Sequence, residues 1–251
     1  MRIITVSREF GSGGREVGKR LADALGVAYY DREIISEVAE KSALDENYVE
    51  YALEKGLLHD FRFTFSHTFS HISMLNDNVC ELFMVQNKVL RQLAEKGDCV
   101  IVGRSADAVL DEWQPFKLFV YADLPSKLAR CRQRAGVDES MSDKELEKMI
   151  RQVDKARANY HSIVGNTGWG KRESYNLCLN TTGLEIKSFI PLLADYVNLW
   201  FDARDAAAAA ERSEEKTEYQ RSIRKRSGAA APFCLLFSVC PYSGLRLALA
   251  A

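Results

Sequence analysis

The stretch Ser7-Arg8-Glu9-Phe10-Gly11-Ser12-Gly13-Gly14-Arg15-Glu16-Val17-Gly18-Lys19 limits the folds open to this chain more than any other. It follows directly on an apolar run, Ile3-Ile4-Thr5-Val6. It opens an amphipathic segment that reads as a helix from Arg15 to Leu25, with Gly26 as its C-cap. Strand, glycine loop, helix is the arrangement in which backbone N–H groups converge on an anion at a helix N-terminus, where the helix dipole adds to the attraction. The stretch therefore reads as a phosphate-binding loop, with Gly11, Ser12, Gly13, Gly14, Arg15 and Glu16 forming the cradle. The plain alternative is a flexible, glycine-rich connection, and the position between strand and helix favours the loop.

Two familiar frames fail on it. Gly11 and Gly13 supply the start of a dinucleotide fingerprint, but the next glycine would fall on Glu16. Gly13, Gly18 and Lys19 fit part of the pattern GxxxxGK[ST], yet Arg20 stands where the hydroxyl belongs and Lys19 lies a full turn inside the helix.

Further apolar runs follow at Val27-Ala28-Tyr29-Tyr30, Cys99-Val100-Ile101-Val102, Leu118-Phe119-Val120-Tyr121 and Leu177-Cys178-Leu179, separated by segments of helical period. Continuous apolar strands alternating with helices predict an α/β fold with a five-stranded parallel sheet covered on both faces. Two segments break the alternation: an insert at about 41–80, bearing Phe61, Phe63, Phe65 and Phe69, and an arginine-rich excursion at about 135–174. Inserts at strand ends of open sheets are where ligand-covering parts sit. The expected organisation is one domain over residues 1–200 and a low-complexity tail without fixed structure over 201–251.

Composition narrows the function. Lys and Arg total 34 against 35 Asp and Glu, a balance that argues against a nucleic-acid partner. The six cysteines form no CxxC pair and no secretory segment opens the chain, so a cytoplasmic location is expected. The apolar run Ala229 to Leu245 contains Pro232 and Pro241 and is shorter than the ~18–20 residues of a membrane span, so it does not read as an anchor. His67 and His71 are four apart without an evident third ligand, so they do not read as a metal site.

Residues Ile3 to Ala22 resemble, without gaps, the start of bacterial cytidylate kinases and more closely that of the cytidylate kinase-like family. The resemblance continues through Tyr29-Tyr30-Asp31-Arg32-Glu33-Ile34-Ile35, Val100-Ile101-Val102-Gly103-Arg104-Ser105-Ala106-Asp107 and Asp154-Lys155-Ala156-Arg157-Ala158-Asn159-Tyr160, over about residues 1–200. It implies a P-loop nucleoside monophosphate kinase fold with an acceptor-binding insert and a lid. The implied activity moves the γ-phosphoryl of ATP to CMP or dCMP, small-molecule nucleotides, with Mg²⁺ between the phosphates.

In the same alignment the phosphate-loop lysine falls on Gly14, the metal-holding hydroxyl on Glu16 and the first loop glycine on Arg8. Val102 and Ser105 stand where cytidylate kinases usually carry aspartates. The resemblance then implies that Arg15 or Arg8 replaces the lysine charge and that Asp107 or Glu16 reaches Mg²⁺. Asp31, Arg32, Arg104, Asp107 and Arg151 approach the acceptor, and Arg157 acts on the transferring group from the lid. Asp31 also reads as a helix N-cap, Arg151 as an i,i+4 partner of Glu147, and Tyr160, Trp169 and Tyr175 as packing under the lid. Two other functions stay open: a nucleotide-binding regulator that has lost catalysis, and a kinase for a non-nucleotide small molecule.

Overall fold

The computed structural model describes residues 1–51, 72–133, 141–165 and 168–228. His67, His71, Arg134 and the run Ala229 to Leu245 lie outside the described residues.

Five parallel strands form one sheet: β1 (Ile3–Arg8), β2 (Ala28–Tyr30), β3 (Cys99–Val102), β4 (Phe116–Tyr121) and β5 (Leu177–Asn180). Their spatial order is β2-β3-β1-β4-β5. The register sets Val6 beside Val102 on one side and beside Leu118 on the other. Between the strands run α1 (Gly14–Leu25), α2 (Glu33–Ser42), α3 (Glu46–Tyr51) and α4 (Ile72–Glu95). They are followed by α5 (Ala106–Val109), α6 (Leu124–Gln133), α7 (Asp143–Val164) and α8 (Ile186–Gly228).

Alternation along each strand divides the core into two layers. Ile3, Cys99 and Ile101 face one way, packing with Ile34, Val38, Val89, Leu90 and Leu93 of α2 and α4. Ile4, Val6, Val100, Val102, Leu118 and Val120 face the other, against Val17 and Leu21 of α1 and Ile190, Leu193 and Val197 of α8. Helix α1 comes so near β3 that a Cβ at Gly18 would lie 2.6 Å from Val102 Cγ2, so that position excludes a side chain.

The same alternation decides what β1 presents at its C-terminal end. Ser7 continues the face of Ile3 and Thr5, whereas Arg8 continues the face of Ile4 and Val6, beside α1. Because the connections from β1 and β3 leave in opposite directions, the strand ends there open a crevice at the point where the strand order reverses.

The chain divides into two units, Met1–Asp202 and Ala203–Ala251. In the second unit the described residues are helical to Gly228, where fixed structure was not expected from the sequence. The alanine run Ala206 to Ala210 and the helix-forming Glu, Lys, Arg and Gln that follow it account for the difference. No described helix is long and apolar enough to cross a membrane.

Candidate active site

The glycine loop turns from β1 into α1 through two left-handed residues, Gly11 (φ 75°) and Gly13 (φ 82°), the latter being the N-cap of α1. A side chain at Gly11 would meet the Lys127 carbonyl at 3.0 Å, so both space and backbone angle demand glycine there. With no capping side chain, α1 leaves its first-turn N–H groups directed into the crevice.

One flank of the loop is fastened by ordinary protein contacts. Thr181 Oγ1 donates to the Ser12 carbonyl at 2.7 Å, and Ser12 Oγ donates to the Glu9 carbonyl at 2.8 Å. Arg130 reaches the Ser12 carbonyl at 3.4 Å while also donating to Thr181 Oγ1 at 3.1 Å and the Thr181 carbonyl at 2.5 Å. Lys127 of α6, a tenth exposed, forms ion pairs with Glu9 at 2.6 Å and Asp154 at 3.4 Å. Asp154 in turn accepts from the Phe10 N–H at 2.6 Å. Burial raises the Asp154 carboxyl above its ordinary range against those favourable contacts.

The opposite flank gathers like charges. Arg8 lies 3.8 Å from Asp31, which also pairs with Arg15. The Arg8 guanidinium fills the space where a side chain on Gly103 would stand. Arg157 of α7 donates to the Arg8 carbonyl at 3.1 Å and sits 5.8 Å from the centre of the Phe10 ring. Burial, then repulsion from Arg157, Arg104 and Arg15, pushes Arg8 down to about 9 while Asp31 resists, and the group stays protonated at neutral pH. Two guanidinium groups thus hold one nearly buried carboxylate, two more stand near enough to Arg8 to repel it, and Arg157 among them also pairs with Asp154 at 3.9 Å.

Arg104 is aimed by an unusual backbone. Gly103, Arg104 and Ser105 are all left-handed, at φ 79°, 58° and 50°, between β3 and α5. For the two non-glycine residues this conformation costs roughly 1–3 kcal/mol each.

The remaining expected site residues lie elsewhere. Glu16 pairs with Arg20 at 2.8 Å on the exposed side of α1, and Arg151 pairs with Glu147 at 2.7 Å on the outer face of α7. Arg32 is exposed and itself occupies the N-cap position of α2, so Asp31 does not cap that helix. Asp107 is buried, accepting from Ser7 Oγ at 3.3 Å and lying 2.8 Å from His161 Nε2. Among the described residues no three His, Cys, Asp or Glu side chains form a metal-holding group.

Tyr175 belongs to the same buried cluster. Burial and Asp107 raise its phenol, and it accepts from the Gly170 N–H at 3.4 Å. Its ring packs 5.0 Å from Phe119, which also meets Trp169 edge-on at 5.1 Å. Trp169 and Tyr175 therefore pack on Phe119 of β4. Lys127, Arg130 and Thr181 were not singled out as loop fasteners. Their sole advance signal was the need of Glu9, beside a glycine loop, for a counter-charge.

Glycine loop, strand order and crevice define the P-loop fold, in its α/β form with a five-stranded parallel sheet. Residues 3–183 match the cytidylate kinase-like family, and the chain belongs to it. Among solved structures, the chain is similar to an uncharacterised protein from Eubacterium ventriosum ATCC 27560, with 24% identity and a TM-score of 0.57, covering 79% of this chain and 99% of that one. Shikimate kinase from Bacteroides thetaiotaomicron is also similar, with 16% identity and a TM-score of 0.47, covering 78% and 98%. Thymidylate kinase from Candida albicans has 13% identity and a TM-score of 0.40, covering 79% and 91%. No curated protein matches the chain. Membership of that family places it among kinase-like proteins.

Proposed function

We propose that the protein transfers the γ-phosphoryl group of ATP to a nucleoside monophosphate, CMP or dCMP. The observation that carries this reading is the crowding of Arg15, Arg104 and Arg157 round the buried Arg8, with Asp31 paired to Arg8 and Arg15, beside the glycine loop. Phosphoryl transfer asks the protein for positioning and charge neutralisation more than for covalent chemistry. The first-turn N–H groups of α1 and the left-handed glycines suit the donor's phosphates. Arg15 is half-exposed and can exchange Asp31 for a phosphate oxygen, supplying the charge that Gly14 lacks. Arg8 and Arg104 suit the acceptor's phosphate, and Arg157 neutralises the group in transit.

Mg²⁺ would accompany ATP, shielding the charge of its phosphates. The side chains expected to hold it fit poorly: Glu16 is engaged by Arg20 and Asp107 by His161 and Ser7. We therefore derive no step through a metal ligand.

The test is ADP release from Mg²⁺-ATP with a panel of monophosphates and of non-nucleotide acceptors. Turnover fastest with CMP or dCMP supports the reading, and tight ATP binding with no turnover on any acceptor defeats it. That second outcome would favour a nucleotide-binding regulator, a reading to which Gly14 in place of a lysine gives specific support.

A further inference from the structure

Resting on the phosphoryl-transfer reading, we infer that Gln86 and Tyr160 form the subsite that reads the acceptor's ring, and that the ring is a flat nitrogen heterocycle offering an N–H donor. Gln86 lies in mid-α4 and is completely buried. Its Nε2 donates to the Tyr160 hydroxyl of α7, while its Oε1 has no hydrogen-bond partner among the described residues. A buried amide left half-satisfied is destabilising, and a leucine would fill the same space without that penalty. The orphaned acceptor therefore points to a donor brought by a ligand.

The surroundings suit a base. Phe83, one turn before Gln86, stacks on Tyr160, the residue that holds the Gln86 amide, with centroids 5.0 Å apart and planes 28° from parallel. Tyr160 follows Arg157 by one turn of α7, so the ring surface and the phosphate-directed guanidinium share a helix face. Arg104 stands within electrostatic reach of both the Tyr160 phenol and Arg8, linking this corner to the arginine cluster. Burial pushes the phenol up to about 12, which keeps Tyr160 protonated and holds its partnership with the amide at neutral pH. An amino or imide N–H on the acceptor would complete the amide's hydrogen bonding. A non-aromatic acid or a bare sugar phosphate would not.

The experiment measures equilibrium binding of CMP, UMP, AMP and ribose 5-phosphate to the full chain by calorimetry, for wild type, Gln86→Leu and Tyr160→Phe. The expected result is that at least one nucleoside monophosphate binds about tenfold or more tightly than ribose 5-phosphate. Gln86→Leu should remove most of that advantage and leave ribose 5-phosphate unaffected. Equal affinity for ribose 5-phosphate and all three nucleotides overturns the inference. So does a Gln86→Leu variant that weakens every ligand by the same factor, because that is the mark of a structural role. If Gln86→Leu does not fold, Tyr160→Phe decides: it frees the amide to turn, so the ratio of CMP to UMP affinity must change, and an unchanged ratio overturns the inference. Absence of ADP release would defeat only the phosphoryl-transfer reading, since the binding ratios are read without turnover.

Discussion

The two flanks of the glycine loop both carry basic side chains and use them in opposite ways. On the flank of α6, Lys127 has two carboxylates and Arg130 has four acceptors, three of them backbone carbonyls. On the flank of α2 and α7, Arg8 and Arg15 share Asp31, Arg104 and Arg157 repel Arg8, Arg157 reaches across to Asp154 at 3.9 Å, and the protein lowers the proton affinity of one of its own arginines. The first arrangement holds a loop, and the second, on the function proposed above, is where an anion is received. The lesson is that a buried cation is understood by counting the charges around it, because satisfied cations build the fold and crowded ones serve a ligand.

Substitutions can break this contrast. The largest effect is expected at Arg157: replacement by alanine should lower the rate of phosphoryl transfer by about 10³-fold or more with the fold intact, as for analogous arginine fingers. Steady-state kinetics beside a thermal melt separates the two, and a melt that falls while the rate holds would move Arg157 to the structural flank. Lys127→Met should do the reverse. It removes the cation between Glu9 and Asp154 and leaves Asp154 with the more distant Arg157, and the expected loss is about 3 kcal/mol in urea unfolding. A loss no larger than that of Arg15→Met, whose side chain is half-exposed, would erase the distinction between the flanks.

Arg8 gives a pH test. The folded guanidinium keeps its proton only to about 9 and the unfolded one to well above that, so from about 9 upward the unfolded chain binds more protons. Stability attributable to Arg8 must then rise with pH through that window, by up to about 1.4 kcal/mol per unit, and be level below it. The readout is the difference between wild type and Arg8→Met from pH 7.5 to 10.5, and a difference that stays constant would show that Arg8 is not crowded. The smallest effect is expected from Thr181→Val, which removes one donor to the Ser12 carbonyl and should cost about 1 kcal/mol, measured by thermal melting.

Much of the architecture is legible in the sequence because each strand is a short, continuous apolar run between helical periods. All five runs became strands, although Val27 stays outside β2 and β4 begins two residues earlier, at Phe116. Helix α7 starts after Ser142, whose capping box with Glu145 closes its first turn, and runs to Val164. Asp31 shows why local rules give out at the site: its spacing suits a cap, yet its carboxylate is claimed by arginines brought from β1 and α1. Lys127 was illegible for a related reason. On α6 it is one base among several, and only the meeting of residues 9, 127 and 154 in space buries it. The same holds for Gln86, whose free oxygen exists only because α4 and α7 face each other.

The left-handed run after β3 has one more consequence. Arg104 is held where glycine would sit at no steric cost, so Arg104→Gly should relax the turn and, on that account alone, strengthen the fold while stripping a charge from the crevice. Selection for thermal robustness by itself would therefore erode this site first. A library of variants screened only for heat resistance should become enriched in proteins that survive and do nothing.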